Sequence, residues 1–423
     1  MKTWNKRHYF ISAMTIMAFA SFSFVFCSTK GGPDPPPPPP PPLEAEITIN
    51  TVETFQTIQG FGCATVFRPP SSPLTADEMD RLFGKGNAQV GLNILRIRIT
   101  EDNTWRGYEL TNSKGAIQRG AKVIATPWSP PARFKTNNNL IGGSLKTDSG
   151  AAYAKYLNDF ADYMSANGAP LYAVSVQNEP DVQVNYESCD WTATQMKDFL
   201  KNHGQLVTST KLIATESFNN NQTFTNEVLS DATAAANVDI VAGHIYGSGV
   251  TENLTAKSLG KEVWMTEHLD TNVTYTANFS TAVEIHNCLT KANFSAYIWW
   301  YGKRFYGPIG EDGLITKRGY LMSQFAKYIP AGSVRIGTGA NSKADVLVSA
   351  YKATNGKKII VVVNNYDQTV NQKINLNGAG ATEVVPYTTT ELKNAEAGTK
   401  IILSNNSFTV SLAPKSVTTF VEQ

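Results

Sequence analysis

At 423 residues with 42% apolar content, the chain can build a sizeable core and two or three domains. A net charge of +2 and only 17% charged residues supply neither the basic footprint of a nucleic-acid binder nor an acidic tail. The four cysteines, Cys27, Cys63, Cys189 and Cys288, form no CxxC pair and have no histidine at ligand spacing, which speaks against a zinc site.

In chain order, Lys2, Lys6 and Arg7 precede an apolar run that ends at Cys27, an export signal over residues 1–27. The run resembles a bacterial lipoprotein signal whose cysteine is lipidated, although Phe26 stands where a small residue is usual. The other reading is an uncleaved membrane anchor, since the run approaches spanning length. Residues 28–43 form a linker in which the eight prolines 35–42 hold an extended spacer of about 25 Å. A spacer behind a lipid anchor would lift the domain that follows off a membrane, so the expected location is the bacterial cell surface or outer membrane, with a periplasmic or secreted protein as the alternative. The only membrane contact expected is that anchor, and the protein is expected to be a monomer.

Residues 44–58 read as strands, and Gly60-Phe61-Gly62 opens the main domain. Strand-like runs follow at 94–99, 122–126, 172–177, 211–215, 240–244, 262–266 and 296–299, with helix patterns between them such as 76–83, 149–167, 192–207 and 279–292. With the strand after Gly60, eight strand–helix units over 59–330 predict a (β/α)₈ barrel, an α/β fold. From 331 to 423 short strands alternate with Gly/Asn-rich turns and no helix pattern, which predicts an antiparallel β-sandwich. The strands at 44–58 have no barrel role and are expected to complete that sandwich.

Carboxylates at strand ends carry the candidate chemistry, because barrel enzymes keep their reacting groups there. In VSVQNEPD (174–181), Ala173, Ser175 and Gln177 share one side of the strand, and Glu179 continues that side where Pro180 stops the ladder. In VWMTE (263–267), the parity of Val263 and Met265 continues to Glu267. Glu216, in TESF, is the runner-up for either role, and Glu101-Asp102 also follow a strand. Two such glutamates across one barrel mouth can act as proton donor and nucleophile in glycoside cleavage. Arg96 and Arg98 share one face of ILRIRI, and an arginine inside a barrel calls for a carboxylate partner. Asn178 suits a sugar hydroxyl, Tyr246 a hydrogen bond to the nucleophile, and His244 either the site or the core. Trp128, Trp299 and Trp300 stand where aromatic platforms for sugar rings belong.

The segments GFG (60–62), LNILRI (92–97), TPWSPP (126–131), VSVQNEPD, GHIYG (243–247), WMTEH (264–268) and WWYGKRFYG (299–307) resemble, in order, glycoside hydrolase family 30, and within it the bacterial glucuronoxylanases. The resemblance implies a (β/α)₈ barrel with an attached β-sandwich, cleavage of β-glycosides with retention, a polysaccharide substrate (glucuronoxylan), and no metal or other cofactor. It implies Glu179 as acid/base, Glu267 as nucleophile and Arg96 as the nucleophile's partner. Trp300, Arg304 and Tyr306 then hold the methylglucuronic acid branch of xylan. After Glu267 the chain reads His268-Leu269-Asp270 and reaches the next helix sooner than those relatives do. The alternatives are an unbranched-xylan endoxylanase, a xylobiohydrolase or a β-glucanase of the same family. A non-catalytic glycan-binding lipoprotein would predict loss of a catalytic carboxylate, and both are present.

Overall fold

The computed structural model describes residues 41–67, 72–247, 249–377 and 381–423. The export signal with Cys27 and residues 28–40 of the linker lie outside them.

Eight parallel strands close a barrel in chain order. They are β2 (Gly60–Ala64), β3 (Ile94–Ile99), β4 (Lys122–Pro127), β5 (Ala173–Ser175), β6 (Lys211–Ser217), β7 (Ile240–His244), β8 (Glu262–Glu267) and β9 (Ala296–Tyr301). The predicted strand count holds, and the helices cover the outer faces. Thr75 caps the helix Ala76–Phe83 and Thr192 caps Ala193–His203, each within a capping box.

Side-chain alternation splits each strand between two environments. Leu95, Val123, Val174, Val241 and Met265 face the helices, while Ile94, Ile124, Ala173, Ile213, Ile240, Trp264 and Ala296 fill the barrel interior near the strand starts. This interior layer forms an apolar floor, so the polar inward positions lie further along the strands, at their C-terminal ends.

β1 (Leu43–Thr57) pairs antiparallel with β10 (Val334–Thr338) and parallel with β13 (Val370–Asn377), so the N-terminal segment completes the second domain as expected. That domain continues through β11 (Val346–Lys352), β12 (Lys358–Asn364), β14 (Glu383–Thr389), β15 (Glu396–Ala397), β16 (Ile401–Ile402), β17 (Ser407–Leu412) and β18 (Ser416–Glu422). Its ten strands form one sheet running β15-β14-β18-β12-β11-β10-β1-β13-β17, with β16 on β14. Distant parts of this order share one core: Phe408 of β17 meets Phe420 of β18 at 5.1 Å between ring centroids. The sandwich therefore buries its own apolar layer and leaves the barrel mouth to other work. Cys63, Cys189 and Cys288 are all buried and free.

Candidate active site

β3 supplies the cation around which the mouth is built. Ile94 faces the floor, so Arg96 points inward two residues later, and it is fully buried. Its Nη1 donates to Glu267 Oε2 at 2.6 Å, its Nη2 to Asn178 Oδ1 at 2.7 Å, and its Nε to Thr126 Oγ1 at 3.3 Å. Nη2 also lies 3.2 Å from Glu216 Oε1, and the Trp128 ring centroid is 4.8 Å from the guanidinium carbon. Burial alone would weaken the hold of Arg96 on its proton, and Glu216 and Glu267 more than offset that. Arg98 faces the same way but pairs with Glu187 instead of a strand-end carboxylate, between the rings of Phe67 and Trp105.

Glu179 reaches the mouth by the expected route. Its backbone turns into the left-handed region at φ 46°, with its N–H on the Glu216 carbonyl at 3.1 Å. Its Oε1 lies 2.9 Å from His244 Nδ1, and Tyr186 donates to Oε2 at 3.3 Å.

Glu267 arrives differently. Val263 and Met265 pack outward against the helices, so their parity would turn Glu267 away from the site. A β-bulge corrects this: Gly243 pairs with Met265 but His244 pairs with Glu267, and skipping Thr266 brings the glutamate inward. Its Oε1 accepts from Tyr246 at 2.9 Å. A second bulge, between Thr215 and Ser217 of β6, leaves Glu216 itself as the unpaired residue, and its side chain turns inward to Arg96.

These side chains converge tightly. One oxygen each of Glu179 and Glu267 and a ring nitrogen of His244 lie within 4.8 Å of one another. Burial alone would lower the His244 pKa, but Glu267, Glu179 and Glu216 raise it to about 9. Burial opposes ionisation of Glu216, yet Arg96 and His244 bring it down to about 2. Burial, reinforced by Glu179's charge, raises the Glu267 pKa against the pull of His244 and Arg96. Burial and the Glu267 charge raise the Tyr246 pKa, so the phenol stays a neutral donor. Arg96 and His244 thus face three carboxyl groups.

Above the carboxylates lies a cleft of about 410 Å³ whose lining includes Phe67, Trp128, Tyr186, Phe218, Tyr246 and Trp300. Trp128 lies 5.1 Å from Phe67 and 5.7 Å from Trp300 between ring centroids, and Phe218 stacks on Tyr246 at 5.0 Å. Two aromatic walls over a carboxylate floor suit a sugar chain, whose ring faces are apolar and whose edges are polar.

Of the residues picked from sequence, Glu179, Glu267, Arg96, Trp128, Asn178, His244, Tyr246 and Trp300 meet at this mouth. Trp299 does not. It is buried among the outward-facing residues of β9, 4.6 Å beneath the Arg318 guanidinium, because strand alternation points it at the helices. The same alternation puts the neighbouring Trp300 on the cleft side, in line with Ala296 and Ile298. Arg304 lies outside this cluster of buried groups. Its side chain is 48% exposed, sits over Tyr301, and reaches Glu311 at 3.3 Å. Tyr306 is buried edge-on against Phe305. Phe67, Tyr186, Glu187, Phe218 and Leu269 line the cleft without having been picked. They lie on loops beyond the strand ends, where no periodicity marks them.

The comparisons with known proteins agree with this geometry. The model of the glycosyl hydrolase family 30 TIM-barrel domain matches residues 81–274, and that of the family 30 beta sandwich domain matches 332–420. The chain is 38% identical over 393 residues to glucuronoxylanase XynC of Bacillus subtilis (strain 168), covering 89% of this chain and 92% of that one. It superposes on the family 30 subfamily 8 xylanase Xyn30A of Clostridium acetobutylicum with a TM-score of 0.84 at 38% identity, covering 89% and 99% of the two chains. A family 30 endoxylanase of Clostridium papyrosolvens gives 0.82 at 34% identity, covering 89% and 100%.

Proposed function

The chain belongs to glycosyl hydrolase family 30, and on that premise we propose that it is an endo-1,4-β-xylanase that cuts glucuronoxylan with retention of configuration. The observation that carries the reading is the approach of the two carboxylates, within 4.8 Å between oxygens. Groups about 5–5.5 Å apart act by double displacement, whereas inversion needs room for a water between them.

Glu267 is the nucleophile. Its Oε2 accepts from Arg96 at 2.6 Å and its Oε1 from Tyr246 at 2.9 Å, donors that offset the burial opposing its charge, and Glu179 takes the acid's role with the proton that role requires. Glu179 gives that proton to the glycosidic oxygen while Glu267 attacks the anomeric carbon from the opposite face. The carbon–oxygen bond to the leaving chain breaks as the glycosyl–Glu267 ester forms. Glu179, now a carboxylate, takes a proton from water, and the resulting hydroxide replaces Glu267. Arg96 and Tyr246 steady the nucleophile's charge as it returns. Trp128 and Trp300 hold sugar rings against the wall.

Arg304 reads the uronic acid branch as a two-pronged donor, with the branch carboxylate taking the place of Glu311. Because Arg304 is half exposed, its contribution is screened, and Arg304→Ala should lower kcat/KM on glucuronoxylan about 5- to 30-fold. Lysine should rescue only part of that loss. The same exposure favours a second reading, a family 30 endoxylanase indifferent to the branch. Mass analysis of products from glucuronoxylan and from debranched xylan separates the two. Cuts at a fixed distance from each branch support the first, and equal rates with scattered cuts support the second.

We also propose export with a lipid on Cys27, on the pattern of residues 1–27. Cys27→Ala should then release the enzyme from membranes, whereas unchanged membrane association supports an uncleaved anchor.

A further inference from the structure

Glu216 touches no part of the cleft, yet it occupies a costly position. Its side chain is fully buried, and no hydrogen bond of good geometry reaches either oxygen. Burying a carboxylate on such terms is unfavourable unless nearby charge compensates. It lies between two cations, Arg96 Nη2 at 3.2 Å on one side and His244 Nε2 at 4.0 Å on the other. The backbone that holds it there is also strained: Thr215 at φ 78° and Glu216 at φ 34° form the bulge of β6. A β-branched residue at positive φ is rare, and such strain concentrates at functional positions. The Glu216 carbonyl accepts the Glu179 N–H, so one bulge serves both the buried carboxylate and the residue at the mouth.

His244 connects them. Its Nδ1 faces Glu179 Oε1 at 2.9 Å and its Nε2 faces Glu216. Glu267 from β8 lies within 4.8 Å of the ring, the Tyr246 ring centroid is 6.1 Å away, and Arg96 lies on the far side of Glu216.

We propose that Glu216 is a positioning residue that keeps His244 doubly protonated, so that a cationic imidazole faces Glu179 and steadies the charge left on it when its proton passes to the leaving oxygen. This rests on Glu179 being the acid. The elevated His244 pKa, about 9, fits the same arrangement.

A leaving group that departs without protonation separates this role from a merely structural one. Glucuronoxylan has a poor leaving group and 2,4-dinitrophenyl β-xylobioside a good one. Glu216→Gln keeps the shape and removes the charge. It should lower kcat/KM on the polymer by about 10- to 100-fold and on the aryl glycoside by less than about threefold. The alkaline limb of the polymer profile should move to lower pH, and the His244 ring, followed by NMR, should titrate nearer the free-imidazole value of about 6.5. Glu179→Gln on the same two substrates is the reference. If it discriminates between them while Glu216→Gln lowers both equally, the inference falls and the acid assignment stands. If Glu179→Gln does not discriminate, premise and inference fall together. Should Glu216→Gln not fold, the unaltered protein decides: a His244 ring already neutral at pH 7 overturns the proposal.

Discussion

Near the start of the barrel strands, Ile94, Ile124, Ala173, Ile213, Ile240 and Trp264 interlock, and near the far end the same strands bury Arg96, Glu216 and His244. The cations around the floor differ in kind from those at the mouth. Lys122 and Lys211 each sit 4.6 Å from the centroid of Tyr172, which stacks on Trp264, and Lys122 also reaches Gln59. At the mouth, Arg96 and His244 are sealed from water and face carboxylates. The floor gains stability simply by excluding water. The mouth gives up some stability for a fixed field, with two bulges and left-handed backbone at Thr215, Glu216 and Glu179. Chemistry and stability are thus carried by opposite ends of one barrel.

The strongest way to break this division is to exchange the effects. Glu267→Ala should cost on the order of 10⁴-fold or more in kcat, with unfolding by denaturant little changed. Azide should restore part of the activity and yield a glycosyl azide of inverted configuration. An active Glu267→Ala enzyme would remove the mouth's claim to the chemistry. Trp264→Ala, at the floor, should destabilise by about 3–5 kcal/mol while the folded fraction keeps its kcat/KM within about threefold. A large catalytic loss there without loss of stability would mean that the two ends are not separable.

The smallest effect concerns pH. The His244 pKa is near 6.5 in the unfolded chain and about 9 in the folded one. Between those values the native state holds a proton that the unfolded state has lost, so stability should fall as pH rises. The slope is at most about 1.4 kcal/mol per pH unit, and a total loss of about 1–3 kcal/mol is expected. His244→Gln should flatten that slope and Trp264→Ala should leave it intact, as measured by urea unfolding from pH 6.5 to 9.

Alternation made much of this legible. Ala173 inside and Val174 outside put Glu179 on the inner face, and Ile94 and Leu95 did the same for Arg96. For Glu267 the conclusion held but its reason did not, since a strand with Met265 outside reaches the mouth only by skipping Thr266. A bulge at an ordinary threonine leaves no mark on hydrophobic periodicity. Trp299 and Trp300 are a different case, since alternation alone separates them: one lies under Arg318 and the other in the cleft. Arg304 was picked because its motif suggested a ligand, and how exposed a loop residue stays depends on neighbours that no local pattern encodes. The loop residues Phe67, Tyr186 and Phe218 were missed for the same reason.

The central claim is that Glu179 and Glu267 work as a pair through a covalent glycosyl-enzyme. The most direct test is ¹H NMR of the first product formed from a β-1,4-xylo-oligosaccharide, read before mutarotation. The β-anomer should appear first at the new reducing end, with the α-anomer growing in only later. An α-anomer appearing first would mean inversion by a single displacement, and the paired roles given to Glu179 and Glu267 would be wrong.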